Sequence, residues 1–182
     1  MTSTPPLTIR SATAADMTAV AEIYRPAVLH GTASFELDPP DVAEMTKRFE
    51  AIKVGGFPYV VAERQGRIVG YAYANAYRPR PAYRFSVEDS IYIDPAAQRS
   101  GAGQALLMHL IDTCTAMGFR QMIAVIGDSA QSASIGLHRR NGFLFSGTVH
   151  SVGYKFGRWL DGVIMQRPLG DGDQTPPLDQ SR

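Results

Sequence analysis

Apolar residues follow two rhythms along this chain, and the switches between them mark out alternating helices and strands. Met17, Val20, Ala21, Tyr24, Ala27 and Val28 fall at gaps of three and four behind Thr13 and Asp16, which predicts a capped helix. Asp41 sits at an N-cap position before Met45, Phe49 and Ile52, a second helix that Gly55-Gly56 ends. Ala105, Leu106, Leu110, Ile111, Cys114 and Met117 share one face of a third, closed by Gly118. Residues 130–140 predict a fourth, stopped by Asn141-Gly142. Strand patterns cover 7–11, 59–63, 67–77, 84–93, 121–127, 143–152 and 163–167. Gln65-Gly66 is a tight turn, and residues 153–162 join the last two strands as a loop. The order β-α-α-β-β-β-α-β-α-β-β predicts an α/β (α+β type) fold, a mixed, mainly antiparallel twisted sheet flanked by helices. One domain is expected over 1–169, and the Gly-, Pro- and Asp-rich residues 170–182 form a flexible tail.

Composition narrows the function classes. A chain of 182 residues buries about 70% of its unfolded surface, enough for one sizeable core. Lys plus Arg total 18 and Asp plus Glu 17, so the net charge of +1 gives no global reason to expect a nucleic-acid or membrane partner. Any bound anion must be held by a local device. A single cysteine excludes an intrachain disulfide and a Cys-based zinc cluster. No signal-peptide layout or membrane-length apolar run is present, so a cytoplasmic location is expected. His30, His109 and His150 lack i/i+4 partners, and no metal is expected.

The strongest local signal is Gln98-Arg99-Ser100-Gly101-Ala102-Gly103, after a strand and at a helix start. Free N–H groups there, and glycines that admit close approach, suit a pyrophosphate. Read alone, the six residues fit a Gly-rich turn as well. They lack a P-loop Lys-Ser/Thr, and their place after the fourth strand fits a dinucleotide fingerprint poorly.

This run resembles the acyl-coenzyme A loop of the GNAT superfamily of N-acetyltransferases. Ile91-Tyr92-Ile93 before it, the segment SIGLHRRNGF at 134–143 and the order of elements resemble that superfamily too. Within it the chain resembles the phosphinothricin/methionine sulfoximine acetyltransferases. Four separated stretches carry that likeness: 31–36 (GTASFE), 77–88 with Tyr77, Arg78, Pro79, Arg84, Val87 and Glu88, LHRRNGF, and 153–161 (GYKFGRWLD). The resemblance implies a GNAT fold, acetyl-CoA as cosubstrate, a small-molecule amine acceptor and a homodimer paired through the last strands.

Residue roles follow from chemistry and from that likeness. An α-amino group, with a pKa of about 8, must lose a proton before it attacks a thioester. Glu88 shares a strand face with Ser86, Ser90 and Tyr92, and matches the family's catalytic glutamate. From the residues alone it reads first as a solvated strand glutamate, and the family match favours catalysis. Asp89, on the apolar side, marks a bulge or a structural hydrogen bond. His138 stands where many GNAT enzymes carry a tyrosine that protonates the leaving thiolate; a helical histidine also commonly holds a backbone carbonyl. Ile91, Tyr92, Ile93, Gln98, Arg99, Ser100, Gly101, Ala102, Gly103, Gln131 and Ser134 match coenzyme-binding positions, with Gln131 replacing the family's asparagine. Arg99, Arg139 and Arg140 either meet phosphates or face solvent. Arg78 and Arg84 match a clamp for the acceptor's acid group, with Arg80 as a further candidate, and Thr32, Phe35 and Glu36 match its loop. Lys155, Trp159 and Asp161 serve hairpin structure or a subunit interface, and Cys114 serves the core. Rival readings are an acetyltransferase for another small amine or a protein N-terminus, and a non-catalytic coenzyme A sensor.

Overall fold

The computed structural model describes residues 5–177. Its strands are β1 (Thr8–Ser11), β2 (Tyr59–Arg64), β3 (Arg67–Ala76), β4 (Ser86–Ile93), β5 (Gln121–Gly127), β6 (Leu144–Lys155) and β7 (Arg158–Pro168). They form one sheet in the order β1-β2-β3-β4-β5-β7-β6. Neighbours run antiparallel except β4 and β5, which are parallel and joined through a helix. The helices are α1 (Met17–Leu29), α2 (Val42–Val54), α3 (Ala102–Ala116) and α4 (Ser132–Arg140).

Strand alternation divides the interior into two cores. Val60, Ala62, Ala72, Ala74 and Val87 point to one face, where Leu106, Leu107, Leu110 and Cys114 of α3 cover them. Tyr59, Val61 and Tyr71 point to the other, against Met17, Val20 and Val28 of α1 and Met45 and Phe49 of α2. Caps begin the covering helices where the sequence places them: Asp41 accepts from the Glu44 N–H at 2.8 Å, and Asp16 reaches back to the Thr13 N–H at 2.8 Å. Cys114 is fully buried, and burial pushes its thiol pKa up to about 12. It packs the core and offers no nucleophile.

Two stretches differ from expectation. The strand expected from residue 84 begins at Ser86, because Pro81–Tyr83 form a one-turn 3-10 helix closed by the Arg84 N–H on Pro81 O. The loop expected over 153–162 is strand instead. β6 runs to Lys155 and β7 starts at Arg158, with Phe156 (φ 52) and Gly157 (φ 73) as a left-handed two-residue turn that matches sheet twist. The glycines read as breakers are a paired position opposite Leu160 (Gly153) and one opposite Val149 (Gly162), flanking a register shift at 149–153. In the expected tail, residues 170–173 form turns. Arg120 donates to Gly172 O, Thr175 Oγ1 and Pro176 O at 3.0–3.3 Å. The rest of the expected tail, 178–182, lies outside the described residues.

Candidate active site

The parallel pair of the sheet, β4 and β5, is short. β4 and β5 are in register from Ser86 with Gln121 to Asp89 with Ala124, and then part. β4 stays with β3 as far as Ile93, and β5 stays with β7 as far as Gly127. A cavity of about 690 Å³ opens between them, a size that suits a cofactor-sized ligand. Its walls are Ser90–Ile93, residues 124–127, the loop before α3, and Gln131, Ser134 and His138. Backbone groups of β4 and β5 that face across the gap have no strand partner, so a ligand bearing amides can complete them.

The mouth of the cleft is built for an anion. Gly101 caps α3 with φ +87, and Arg99 precedes it with φ 58. A side chain at 101 would collide with nothing within 4 Å, so glycine is demanded by backbone conformation and the space above it is open. The first bond within α3 runs from the Ala105 N–H to Gly101 O, leaving the preceding N–H groups free at the positive end of the helix. Arg99 and Arg140 line the same cavity. The loop is braced from behind: Arg64 donates to Ser100 O at 3.1 Å, Arg67 pairs with Asp94, and Asp94 accepts from the Ala96 N–H. The Ser100 hydroxyl turns inward to Ala97 O at 2.6 Å, and Ala102 is buried.

At the point where the strands part lie Asp89 and His138. His138 is 4% exposed, with its ring edge-on to Phe143. Nδ1 stands 2.8 Å from Ser134 O and, facing a carbonyl, must carry the proton; Nε2 stands 2.9 Å from Asp89 Oδ2. Burial works against the charged ring, but the Asp89 carboxylate outweighs it and raises the His138 pKa. Both ring nitrogens are engaged within the protein. Asp89 thus makes the structural hydrogen bond expected of it, and His138 also holds a backbone carbonyl, that of Ser134.

A GNAT acetyltransferase domain model matches residues 9–164. The chain belongs to the GNAT acetyltransferase family. It is 52% identical over 170 residues to the phosphinothricin N-acetyltransferase of Alcaligenes faecalis, covering 93% of this chain and 86% of the relative. It is 40% identical over 165 residues to the L-methionine sulfoximine/L-methionine sulfone acetyltransferase of Salmonella typhimurium, covering 91% and 96%. The crystal structure of a phosphinothricin acetyltransferase from Sinorhizobium meliloti in complex with AcCoA superposes with a TM-score of 0.91 at 54% identity, covering 94% of this chain and 92% of the other.

In this GNAT domain the coenzyme-side expectations largely converge. Ile91, Tyr92, Ile93, Gln98, Arg99, Gly101, Gly103, Gln131, Ser134 and His138 share one cavity, whereas Ser100 and Ala102 support its loop. Gln131 donates from Nε2 to Thr32 Oγ1 at 2.9 Å, which ties the start of α4 to the loop at 31–36. Glu88 lies just below the cavity on the face it shares with Ser90 and Tyr92. Its pKa is raised by burial and by the charge of Asp89, against an opposing pull from Arg78. Arg78 is thus within electrostatic reach of Glu88. Arg84 is exposed, stacks on Phe85 and donates to Pro81 O. Glu36 is spent on Arg48 at 2.7 Å and the Tyr24 hydroxyl at 2.9 Å, so it anchors its loop.

Four contributors escaped the sequence reading. Arg64 and Arg67 brace the loop before α3, and Gln104 exchanges amide bonds with Asn141 at 2.7 and 3.0 Å to lock α3 to the end of α4. Residues 124–127 form a wall that reads from sequence as buried strand. None has a local signature; each acts across 27 residues or more, save the wall itself. Among the described residues, no group of three or more His, Cys, Asp or Glu side chains stands together as a metal site.

Proposed function

We propose that the protein transfers the acetyl group of acetyl-CoA directly to the primary amine of a small amino acid analogue such as L-methionine sulfoximine, methionine sulfone or phosphinothricin, in the cytoplasm and without a metal. The observation that supports this best is the conjunction on one strand. β4 carries the open edge of the coenzyme-shaped cleft on residues 90–93 and, one step below, a half-buried carboxylate with a raised pKa.

Acetyl-CoA would supply the activated acyl group. Residues 101–103 and Arg99 and Arg140 hold its phosphates, and the unpaired edges of β4 and β5 receive its amides. Glu88 takes a proton from the acceptor ammonium, directly or through a water, so that the amine nitrogen can bond the thioester carbon. A free backbone N–H on β4 near Ile91 faces the oxygen as charge builds there. As the C–S bond breaks, the sulfur keeps the electron pair and takes up a proton, and the nitrogen loses its second proton. Arg78 binds the acceptor's acid group. His138 and Asp89 act as a buried pair that fixes α4 against β4 at the head of the cleft.

Purified protein with acetyl-CoA and a panel of amines tests this reading by thiol release. Turnover is expected with methionine sulfoximine, methionine sulfone and phosphinothricin. Turnover confined to spermidine or an aminoglycoside would overturn the acceptor assignment, and none with any amine would overturn the enzyme reading.

The same proposal takes the protein as a homodimer paired through its last strands. Leu144 (71% exposed), Phe145, Tyr154, Phe156 and Trp159 (63%) stand out from β6, β7 and their turn as a run of large apolar side chains. Light scattering of wild type and Trp159→Asp checks it: a dimer is expected for the first, and a wild-type monomer would refute it.

A further inference from the structure

Lys155 is a buried ammonium outside both cores. It ends β6 beside the hairpin turn and is only 3% exposed. Its Nζ donates to Gly31 O at 2.9 Å and to Ser34 O at 2.7 Å, across more than 120 residues of chain. The charge sits 5.0 Å from the Phe156 ring. Burying a charge is costly, and an apolar side chain would fill the same space more cheaply. The two carbonyls it grips both belong to the loop at 31–36.

That loop is held at five of its six positions. Gly31 and Ser34 are bound by Lys155, and Ser34 also contacts the Tyr24 hydroxyl at 2.7 Å. Thr32 accepts from Gln131, and Glu36 from Arg48. The Phe35 ring sits on two bare backbones: a Cβ on Gly127 would lie 2.8 Å from it, and one on Gly153 would lie 2.6 Å away. Only Ala33 takes no part, and it is exposed and lines the cavity.

We propose that Lys155 is a positioning residue that fixes the height of the loop above the cleft, and that the Ala33 side chain it presents sets the room left for the acceptor. The proposal rests on the acceptor reading above. It adds a distant residue that acts on the acceptor without touching it, and a small residue that gates acceptor size.

The test compares wild type, Lys155→Met and Ala33→Leu, each saturated with acetyl-CoA. Hydrogen exchange of peptides spanning residues 30–36 needs no acceptor. In Lys155→Met these peptides are expected to exchange at least tenfold faster, while peptides from α3 and β5 keep wild-type rates. The acceptor KM is expected to rise about tenfold or more, with the acetyl-CoA KM within twofold of wild type. Unchanged exchange at 30–36, or equal rises in both KM values, overturns the latch. Ala33→Leu keeps the latch and tests the gate even where Lys155→Met does not fold. Its loss of kcat/KM should grow with acceptor side-chain length, and a uniform loss across methionine sulfone and shorter amino acids overturns the gate. Failure of wild type to turn over any amine removes the acceptor reading, and the exchange result then still decides the latch.

Discussion

Adding one methyl group at Gly127 should dislodge the acceptor side of the cleft. A Cβ there would stand 2.5 Å from the Thr32 carbonyl oxygen and 2.8 Å from Phe35 Cε1. Gly127 has no positive φ, so alanine meets no backbone strain and the whole effect is collision. The carbonyl must withdraw by roughly 1 Å to reach ordinary contact, and it cannot swing alone because its neighbours are held by Lys155. Overpacking of this kind costs about 1–3 kcal/mol. In a domain of this size, each kcal/mol lowers Tm by about 2–4 °C, so Gly127→Ala should melt roughly 2–12 °C early. Its acceptor KM should rise severalfold. Gly136→Ala is the control: on α4 its Cβ meets only the flexible end of Arg140 at 3.3 Å, and removing a helical glycine stabilises by up to about 1 kcal/mol. Phe35→Leu added to Gly127→Ala should recover little, since the Thr32 carbonyl still blocks the methyl. Melting curves and steady-state kinetics read the series. A Gly127→Ala protein that melts within 1 °C of wild type with an unchanged acceptor KM would refute the seating of the loop.

Four other outcomes are expected. Glu88→Gln should cut kcat by about 100-fold or more and spare coenzyme binding. Because Glu88 works as the carboxylate, wild-type kcat/KM should climb with pH through its raised pKa, and the variant should lose that acid limb; a shared limb refutes the base. Arg78→Ala should raise the acceptor KM about tenfold with little change for acetyl-CoA, whereas Arg84→Ala should do less, given its place on its own turn; equal effects would restore a two-arginine clamp. Gly101→Val should abolish coenzyme binding by calorimetry, because a β-branched residue resists φ +87; normal binding would move the phosphates elsewhere. Asp89→Asn removes the charge that raises the His138 pKa, and the pair's contribution to wild-type stability is present below the usual histidine pKa of 6.5 and fades as pH rises through the raised one. The gap in Tm between the two proteins should therefore be wider at pH 5.5 than at pH 9, and a constant gap would count against the ion pair.

Local chemistry explains which parts of the molecule were legible in the sequence. The helix caps at Thr13–Asp16 and Asp41 and the glycine turn at Gly101 are written in adjacent residues, so element order and the turn into α3 could be read directly. Gly153 misled because a glycine in a strand signals either a break or a close approach, and only the Phe35 ring on it decides between them. The contacts of Arg120 with Gly172 and Pro176 span more than 50 residues and have no local signature. In the site, alternation placed Glu88 on its face and family likeness placed His138 in the cleft. The second nitrogen of His138 depends on Asp89, 49 residues away, and the amide of Gln131 on Thr32, 99 residues away. No spacing rule reaches that far.

The mooring of residues 31–36 to α1, α2, β5, β6 and the start of α4 also bears on how this enzyme can change its acceptor over generations. A substitution at Thr32, Ser34, Phe35 or Glu36 breaks a contact whose counterpart lies on another element, so single steps there lose stability before they find a new acceptor. The segment 77–84 is mostly exposed and bonded chiefly to itself, so it can vary one residue at a time. Selection for a new amine should therefore accumulate changes at 77–84 and at Ala33, while the loop around Ala33 stays fixed.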